Sequence, residues 1–143
     1  MKTINPYLIF NGNAEEAFDF YQSVFGGNVF KMRFNEMPGT SGIPEQDQNK
    51  LAHVALAIAG RDQTLMASDA RTGHEANIQK NGNYYLSLEP DNAEEAEIIY
   101  RKLSDGGKVF MPLDETDWAD MFAMFSDKFG IQWMINYEES TGF

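Results

Sequence analysis

The chain contains an internal repeat. The segment Asn13-Ala14-Glu15-Glu16-Ala17 recurs 79 residues later, at positions 92–96, and Tyr21 recurs in register as Tyr100. After one inserted residue, the glycine pair and the apolar segment of residues 26–30 are matched by residues 106–110. Two copies of one supersecondary unit therefore make up this chain, and any fold proposed for it must have two similar halves.

Each copy has the pattern of a strand, a helix and three further strands. Asn13 and Asn92 are predicted to cap the two helices, each with a glutamate three residues later, and a Gly-Gly pair follows each helix. The acidic residues in both first turns match the positive end of the helix dipole, so we expect them to stabilise the helices rather than catalyse a reaction. The strands are predicted at residues 4–10, 29–34, 51–59, 64–68, 83–89, 108–113, 121–125 and 131–137.

This pattern predicts an α+β fold in which two βαβββ modules form a curved eight-stranded mixed sheet. We expect one domain over residues 1–143, with module one at 4–69, a linker at 70–82 and module two at 83–137. Residues 36–49 are rich in Pro and Gly and are predicted to form a long loop. Gly60-Arg61-Asp62 is predicted to be a hairpin turn.

The charge balance excludes several classes of partner. Eleven basic and 22 acidic residues leave a formal charge of −11, which disfavours nucleic acids and anionic membranes. There is no cysteine, which removes disulfides, thiolate nucleophiles and thiolate metal sites. The N-terminal residues do not have the apolar stretch of a signal peptide, and no run of 18 apolar residues is present, so we expect a cytoplasmic protein.

The ordered set of short motifs along residues 4–137 resembles the PhnB-like branch of the vicinal-oxygen-chelate superfamily, which includes glyoxalases, bleomycin-resistance proteins and extradiol dioxygenases. The motifs are Asn5-Pro6-Tyr7-Leu8-Ile9-Phe10, Phe34-x-Glu36-Met37-Pro38, Leu51-Ala52-His53, Leu65-Met66-Ala67-Ser68-Asp69-Ala70, Trp118-Ala119, and the segment from Asp127 to Asn136. The resemblance implies a homodimer with a ligand pocket between modules. No Gly-rich turn for a methyl-donor cofactor is present, and no cofactor is expected.

The resemblance also locates the positions at which metal-using members of the superfamily place their ligands. In this chain those positions carry Pro6, Tyr85 and Met134, and strand four, at residues 64–68, has neither Glu nor His. Proline cannot bind a metal ion, and methionine suits soft metals only. We therefore predict no metal at the usual site.

His53 is the candidate for chemistry in the ligand pocket. It is one of two histidines and shares a predicted strand face with Ala55 and Ala57, whereas His74 lies in the polar linker. His53 is interpreted either as a general base or hydrogen-bond donor to a ligand, or as a structural histidine bonded to neighbouring backbone.

Other residues are predicted to complete a ligand site. Tyr85, Trp118 and Trp133 can stack on a planar ligand, although burial alone also explains large aromatic residues. Met134 and Asn136 share one face of the last predicted strand, where Asn136 is a candidate amide contact. The sequence thus predicts a protein that binds a small organic molecule without the usual metal.

The alternative is an enzyme of the lyase, isomerase or dioxygenase type. It would use a displaced metal site or acid–base chemistry of His53. That chemistry requires polar partners near His53, such as Glu36, Asp69 or Asn136.

Overall fold

The computed structural model describes residues 1, 3–38, 42–58, 63–75 and 82–139. The chain divides into two compact units, Met1–Gln79 and Lys80–Phe143, which are described in turn. The predicted hairpin turn at residues 60–62 and part of the predicted linker, residues 76–81, lie outside the described residues.

The first unit is a four-stranded mixed sheet with one α-helix. Its elements are β1 (Tyr7–Phe10), α1 (Ala14–Phe25), β2 (Asn28–Arg33), two 3₁₀ turns (Phe34–Glu36 and Glu45–Asp47), β3 (Leu51–Ala57) and β4 (Thr64–Asp69). The strand order is β1-β4-β3-β2, in which β1 runs parallel to β4 and the other neighbours are antiparallel. The predicted strand at residues 4–10 was too long: β1 begins at Tyr7, because Pro6 has no N–H to donate to a sheet.

The core of the first unit lies between α1 and one face of this sheet. Alternate strand residues are buried, among them Phe10, Val54 and Leu56, and the rings of Phe10 and Phe18 meet edge to face at 6.3 Å. Fully burying a side chain of this size contributes roughly 2 kcal/mol. The other face of the sheet is not used by α1, and this asymmetry makes it a candidate binding surface.

The second unit repeats the same topology. Its elements are β5 (Leu86–Leu88), α2 (Ala93–Ser104), β6 (Lys108–Asp114), β7 (Met121–Ser126) and β8 (Gln132–Tyr137), with strand order β5-β8-β7-β6. Its core contains Ala96 and Leu103 from α2 and Ala123, Phe125 and Ile135 from the sheet, all fully buried. The strands of the described residues thus form two four-stranded mixed sheets, and the predicted α+β fold of two βαβββ modules is confirmed.

The two helices begin in different ways although their first turns share one sequence. The Asn92 side chain accepts a hydrogen bond of 2.8 Å from the backbone N–H of Glu95, as predicted. The predicted cap at Asn13 is wrong, since its side chain makes no capping hydrogen bond. The carboxylate of Asp69, at the end of β4, instead accepts from the N–H groups of Gly12 and Ala14, at 3.0 and 2.9 Å. A residue distant in sequence therefore caps α1.

Gly107 marks a close approach of two chain segments after α2. A Cβ atom at this position would lie 2.0 Å from the backbone oxygen of Ser126, which no side chain tolerates. The second glycine of the repeated pair is thus required by packing in this unit.

Neither of the two α-helices in the described residues has the length to cross a membrane.

Candidate functional site

The first sheet carries an exposed aromatic and apolar surface on the face that α1 does not cover, called here the open face of the first sheet. Strand alternation and pairing place these residues on it: Tyr7, Ile9, Phe30, Met32, His53, Ala55, Met66 and Ser68. Tyr7 is 46% exposed and Phe30 is 55% exposed. Large aromatic residues on a solvated face are uncommon unless the surface contacts another molecule.

His53 and Tyr7 form a hydrogen-bonded pair on this open face. The Tyr7 hydroxyl lies 3.1 Å from Nδ1 of His53, and the two rings stack with centroids 5.8 Å apart and planes inclined by 28°. The ring of Phe30 lies 6.4 Å from the imidazole on its other flank. His53 is therefore bonded to a side chain and not to neighbouring backbone.

The pair fixes the orientation of the imidazole. When the Tyr7 hydroxyl donates to Nδ1, the neutral ring carries its proton on Nε2. Within the described part of the chain, Nε2 has no protein hydrogen-bond partner. His53 can then donate to an acceptor on a bound molecule.

Sequence reasoning identified His53 but missed Tyr7 and Phe30. The strand order places β4 between β1 and β3, so Tyr7 reaches across β4 to meet His53. The alternation of Tyr7 and Ile9 with the buried Leu8 and Phe10 was the available signal, because it separates the two faces of β1.

Two of the polar residues considered as partners of His53 are committed elsewhere. Glu36 accepts a hydrogen bond of 3.0 Å from the backbone N–H of Arg33. Asp69 accepts from three backbone N–H groups, the third being that of Leu51 at 2.9 Å. Both carboxylates therefore serve the backbone of the first unit.

An ion-pair cluster joins α1 to β2 near the edge of the first sheet. Glu15 Oε2 lies 2.8 Å from Arg33 Nη2 and 3.1 Å from Lys31 Nζ, and Lys31 also pairs with Asp19. The hydrogen bond from Arg33, followed by that from Lys31, lowers the pKa of Glu15. These contacts are partly exposed and hold α1 against β2, beyond the helix-dipole role expected for Glu15.

The second unit holds the remaining predicted site residues, but on two different faces of its sheet. Met134 and Asn136 lie on the face away from α2, where Met134 pairs with Met124 and Asn136 with Phe122 of β7. Trp118 packs edge-on against Phe122, with ring centroids 5.3 Å apart. Met134 and Asn136 therefore share one face of the second sheet, and Trp118 packs against Phe122 on that face.

Trp133 faces the other way, into the core. It is 2% exposed and pairs with Phe125, whose ring contacts Tyr100 of α2. Its Nε1 donates a hydrogen bond of 2.9 Å to the buried Asp127 carboxylate. These contacts explain Trp133 as a structural residue, and it is not included in the site proposed below. Tyr85 lies just before β5 and is half-buried.

The comparisons with known proteins agree with this architecture. The family model of the Glyoxalase/Bleomycin resistance protein/Dioxygenase superfamily matches residues 3–135. The chain belongs to this superfamily. Protein YjdN of Escherichia coli strain K12 is 35% identical over 143 residues, with 93% of each chain covered.

Two solved structures extend this result. Protein PA1353 from Pseudomonas aeruginosa is 39% identical with a TM-score of 0.82, covering 96% of this chain and 98% of that chain. A PhnB protein from Bacillus cereus, whose name proposes a 3-demethylubiquinone-9 3-methyltransferase, is 24% identical with a TM-score of 0.74, covering 95% of this chain and 99% of that chain. The second likeness shows the shared fold.

The residues of this chain differ from the ligands of the metal site that the resemblance implies. No group of three or more His, Cys, Asp or Glu is placed to hold a metal ion within residues 1, 3–38, 42–58, 63–75 and 82–139. Pro6, Tyr85 and Met134, at the positions carried over from the superfamily, do not provide the nitrogen and carboxylate donors that zinc or manganese prefers. These residues do not fit a divalent metal centre.

Proposed function

We propose that this protein binds a small organic molecule on the open face of its first sheet. The observation that carries the proposal is the Tyr7–His53 pair, which places an oriented polar group within an exposed apolar surface. Ligand sites typically combine such apolar surroundings with a few fixed polar groups. Membership of the superfamily supports the same proposal.

The geometry favours one kind of ligand. Phe30 and Tyr7 flank the imidazole, so a planar or aromatic body can stack beside it. With Nδ1 bonded to Tyr7, Nε2 is the nitrogen left for the ligand, and when the Tyr7 hydroxyl donates to Nδ1, Nε2 is a donor that selects a carbonyl or similar acceptor. We therefore propose a planar molecule that carries a hydrogen-bond acceptor.

The two histidines of the chain allow a controlled test. Acetophenone, a planar aromatic ketone, is titrated into the ¹⁵N-labelled full chain and followed by two-dimensional NMR. We expect shifts at Tyr7, Phe30 and His53, and about tenfold weaker binding in His53→Ala with the fold unchanged. His74→Ala is the matched control, because His74 is exposed in the segment after β4. Equal affinity in both variants would contradict the proposal.

An acid–base enzyme is the second candidate function. The observation in its favour is that Tyr7 holds one nitrogen of His53 and leaves Nε2 without a protein partner in the described residues. Incubation with a metabolite extract, followed by mass spectrometry, separates the two candidates. Compounds retained unchanged support binding, whereas compounds consumed by the wild type and not by His53→Ala support catalysis.

A cytoplasmic homodimer completes the proposal. The edge strand β6 exposes Val109, Phe110 and Met111, each about 40% accessible, and apolar residues of this kind are commonly covered by a second subunit. Sedimentation velocity at micromolar concentration is expected to show a dimer, and a monomer would contradict this part of the proposal.

A further inference from the structure

The carbonyl oxygen of the Asn136 side chain is buried without a partner. Its Oδ1 atom has no hydrogen bond within the described residues, and Asn136 as a whole is only 5% exposed. Buried side-chain oxygens nearly always accept a hydrogen bond, because an unpaired one loses its hydration without compensation. An acceptor in this state points to a donor that the described residues do not supply.

Aromatic side chains lie beside this acceptor. Phe122 is directly opposite Asn136 in the β7–β8 register, on the face of the second sheet away from α2. Trp118 contacts Phe122 edge-on and is 46% exposed, so its indole presents an accessible surface beside Phe122, the neighbour of the acceptor. Because Oδ1 is shielded from water, a neighbouring side chain must move when a ligand binds. We expect Trp118 to move, because it is less buried than Phe122.

The same region is strongly acidic. Residues 114–120 contain four acidic residues, Asp114, Glu115, Asp117 and Asp120, and no Lys or Arg. The loop that carries Trp118 is joined to the end of β8, where the N–H of Asp120 donates to the Tyr137 carbonyl at 2.9 Å and that of Glu139 donates to the Asp120 carboxylate at 2.8 Å. Burial raises the pKa of Tyr137, and the charges of Glu139 and Asp120 raise it further.

We infer that Asn136 and Trp118 form a binding site for a small organic amine in its protonated form, attached to an aromatic or apolar body. An ammonium N–H would donate to Asn136 Oδ1, and the cation or its ring would lie against the Trp118 indole. The acidic loop would supply the opposite charge. This surface belongs to the second sheet, so the inference does not depend on the site proposed for the first.

Three matched probes test the inference: phenethylamine, 2-phenylethanol and 3-phenylpropionate, each titrated into the ¹⁵N-labelled full chain. Phenethylamine is expected to shift the Trp118 indole and the Asn136 side-chain amide, and to bind at least about tenfold more tightly than 3-phenylpropionate. Asn136→Leu should weaken phenethylamine binding about tenfold, because it removes the acceptor. Trp118→Leu, at a position that is 46% exposed, removes the aromatic surface and should also weaken phenethylamine binding about tenfold, so it serves if Asn136→Leu does not fold.

The inference is overturned if the three probes bind equally, or if phenethylamine at millimolar concentration leaves Trp118 and Asn136 unshifted. Unchanged affinity in Asn136→Leu would overturn it as well. Shifts at Tyr7 and His53 report on the first sheet separately, so failure of either proposal can be distinguished from failure of the other.

Discussion

The carboxylate of Asp69 accepts a hydrogen bond of 2.9 Å from the backbone N–H of Ala14, the first residue of α1. The same carboxylate accepts from Gly12 and from Leu51, so one side chain connects the start of a helix, the turn before it and the start of β3. Asp69 is 4% exposed. Its position at the end of β4 therefore joins three parts of the first unit.

Asp69→Asn is expected to lower the free energy of unfolding by about 3 kcal/mol, measured by urea denaturation. The amide oxygen can still accept from Gly12 and Ala14. Its NH₂ group then faces the Leu51 N–H, so two hydrogen-bond donors oppose each other in a buried position. Asp117→Asn, at an exposed loop residue, is the control and should change stability by less than about 0.5 kcal/mol. Equal effects of the two substitutions would show that Asp69 does not have this role.

The two asparagines of the repeat provide a second comparison. Asn92→Ala removes the 2.8 Å capping bond to Glu95 and should cost about 1 kcal/mol. Asn13→Ala removes no capping bond and should cost less than about 0.5 kcal/mol. Thermal unfolding of both variants measures the difference, and similar losses would mean that Asn13 caps α1 in solution.

The ion pairs of Glu15 are expected to make a pH-dependent contribution to the free energy of unfolding. Hydrogen bonds from Arg33 and Lys31 lower its pKa in the folded state, so its contribution is complete above the ordinary pKa of an unfolded glutamate and is lost as the pH falls through the lower, folded value. Because these pairs are partly exposed, Glu15→Gln should cost only about 0.5 kcal/mol near neutral pH and less in high salt.

Below the folded pKa of Glu15, the wild type and Glu15→Gln should unfold alike. Glu16→Gln, at the exposed neighbouring position, is the control. A stability difference for Glu15→Gln that persists unchanged in strong acid would contradict the ion-pair explanation.

Trp133→Phe tests whether Trp133 is structural. The substitution removes the indole N–H that pairs with Asp127 and should lower the free energy of unfolding by about 2 kcal/mol. Affinity for acetophenone and for phenethylamine should remain as in the wild type, because Trp133 lies on the core side of its sheet. Lost affinity in a stable, folded variant would place Trp133 in a binding site after all.

Elemental analysis of the protein purified without a histidine tag is expected to find far less than one transition metal per chain. The reason is the chemistry of Pro6, Tyr85 and Met134 at the carried-over positions, together with the absence of a three-donor cluster in the described residues. Treatment with a chelator should then leave the melting temperature unchanged. A stoichiometric metal would favour the enzymatic alternative.

Much of the fold follows from local sequence. The repeat at Asn13 and Asn92 predicts two similar modules, and the apolar run of residues 51–59 predicts a strand on which His53 shares a face with Ala55 and Ala57. The Asn92 cap is also local, since donor and acceptor are three residues apart. His53 could be selected because it stands among small residues on one face of that strand.

The tertiary structure decided which residues meet. Asn13 and Asn92 share a sequence, yet α1 is capped by Asp69, which approaches from 55 residues away. Tyr7 meets His53 because the strand order places β1 and β3 on either side of β4. Trp133 and Asn136 separate because residues an odd number of positions apart in a strand occupy opposite faces. Periodicity and caps depend on neighbours in sequence, whereas these contacts depend on strand order and register. For that reason the sequence by itself determined the two modules and their elements, and only the tertiary structure assembled the residues of the two candidate sites.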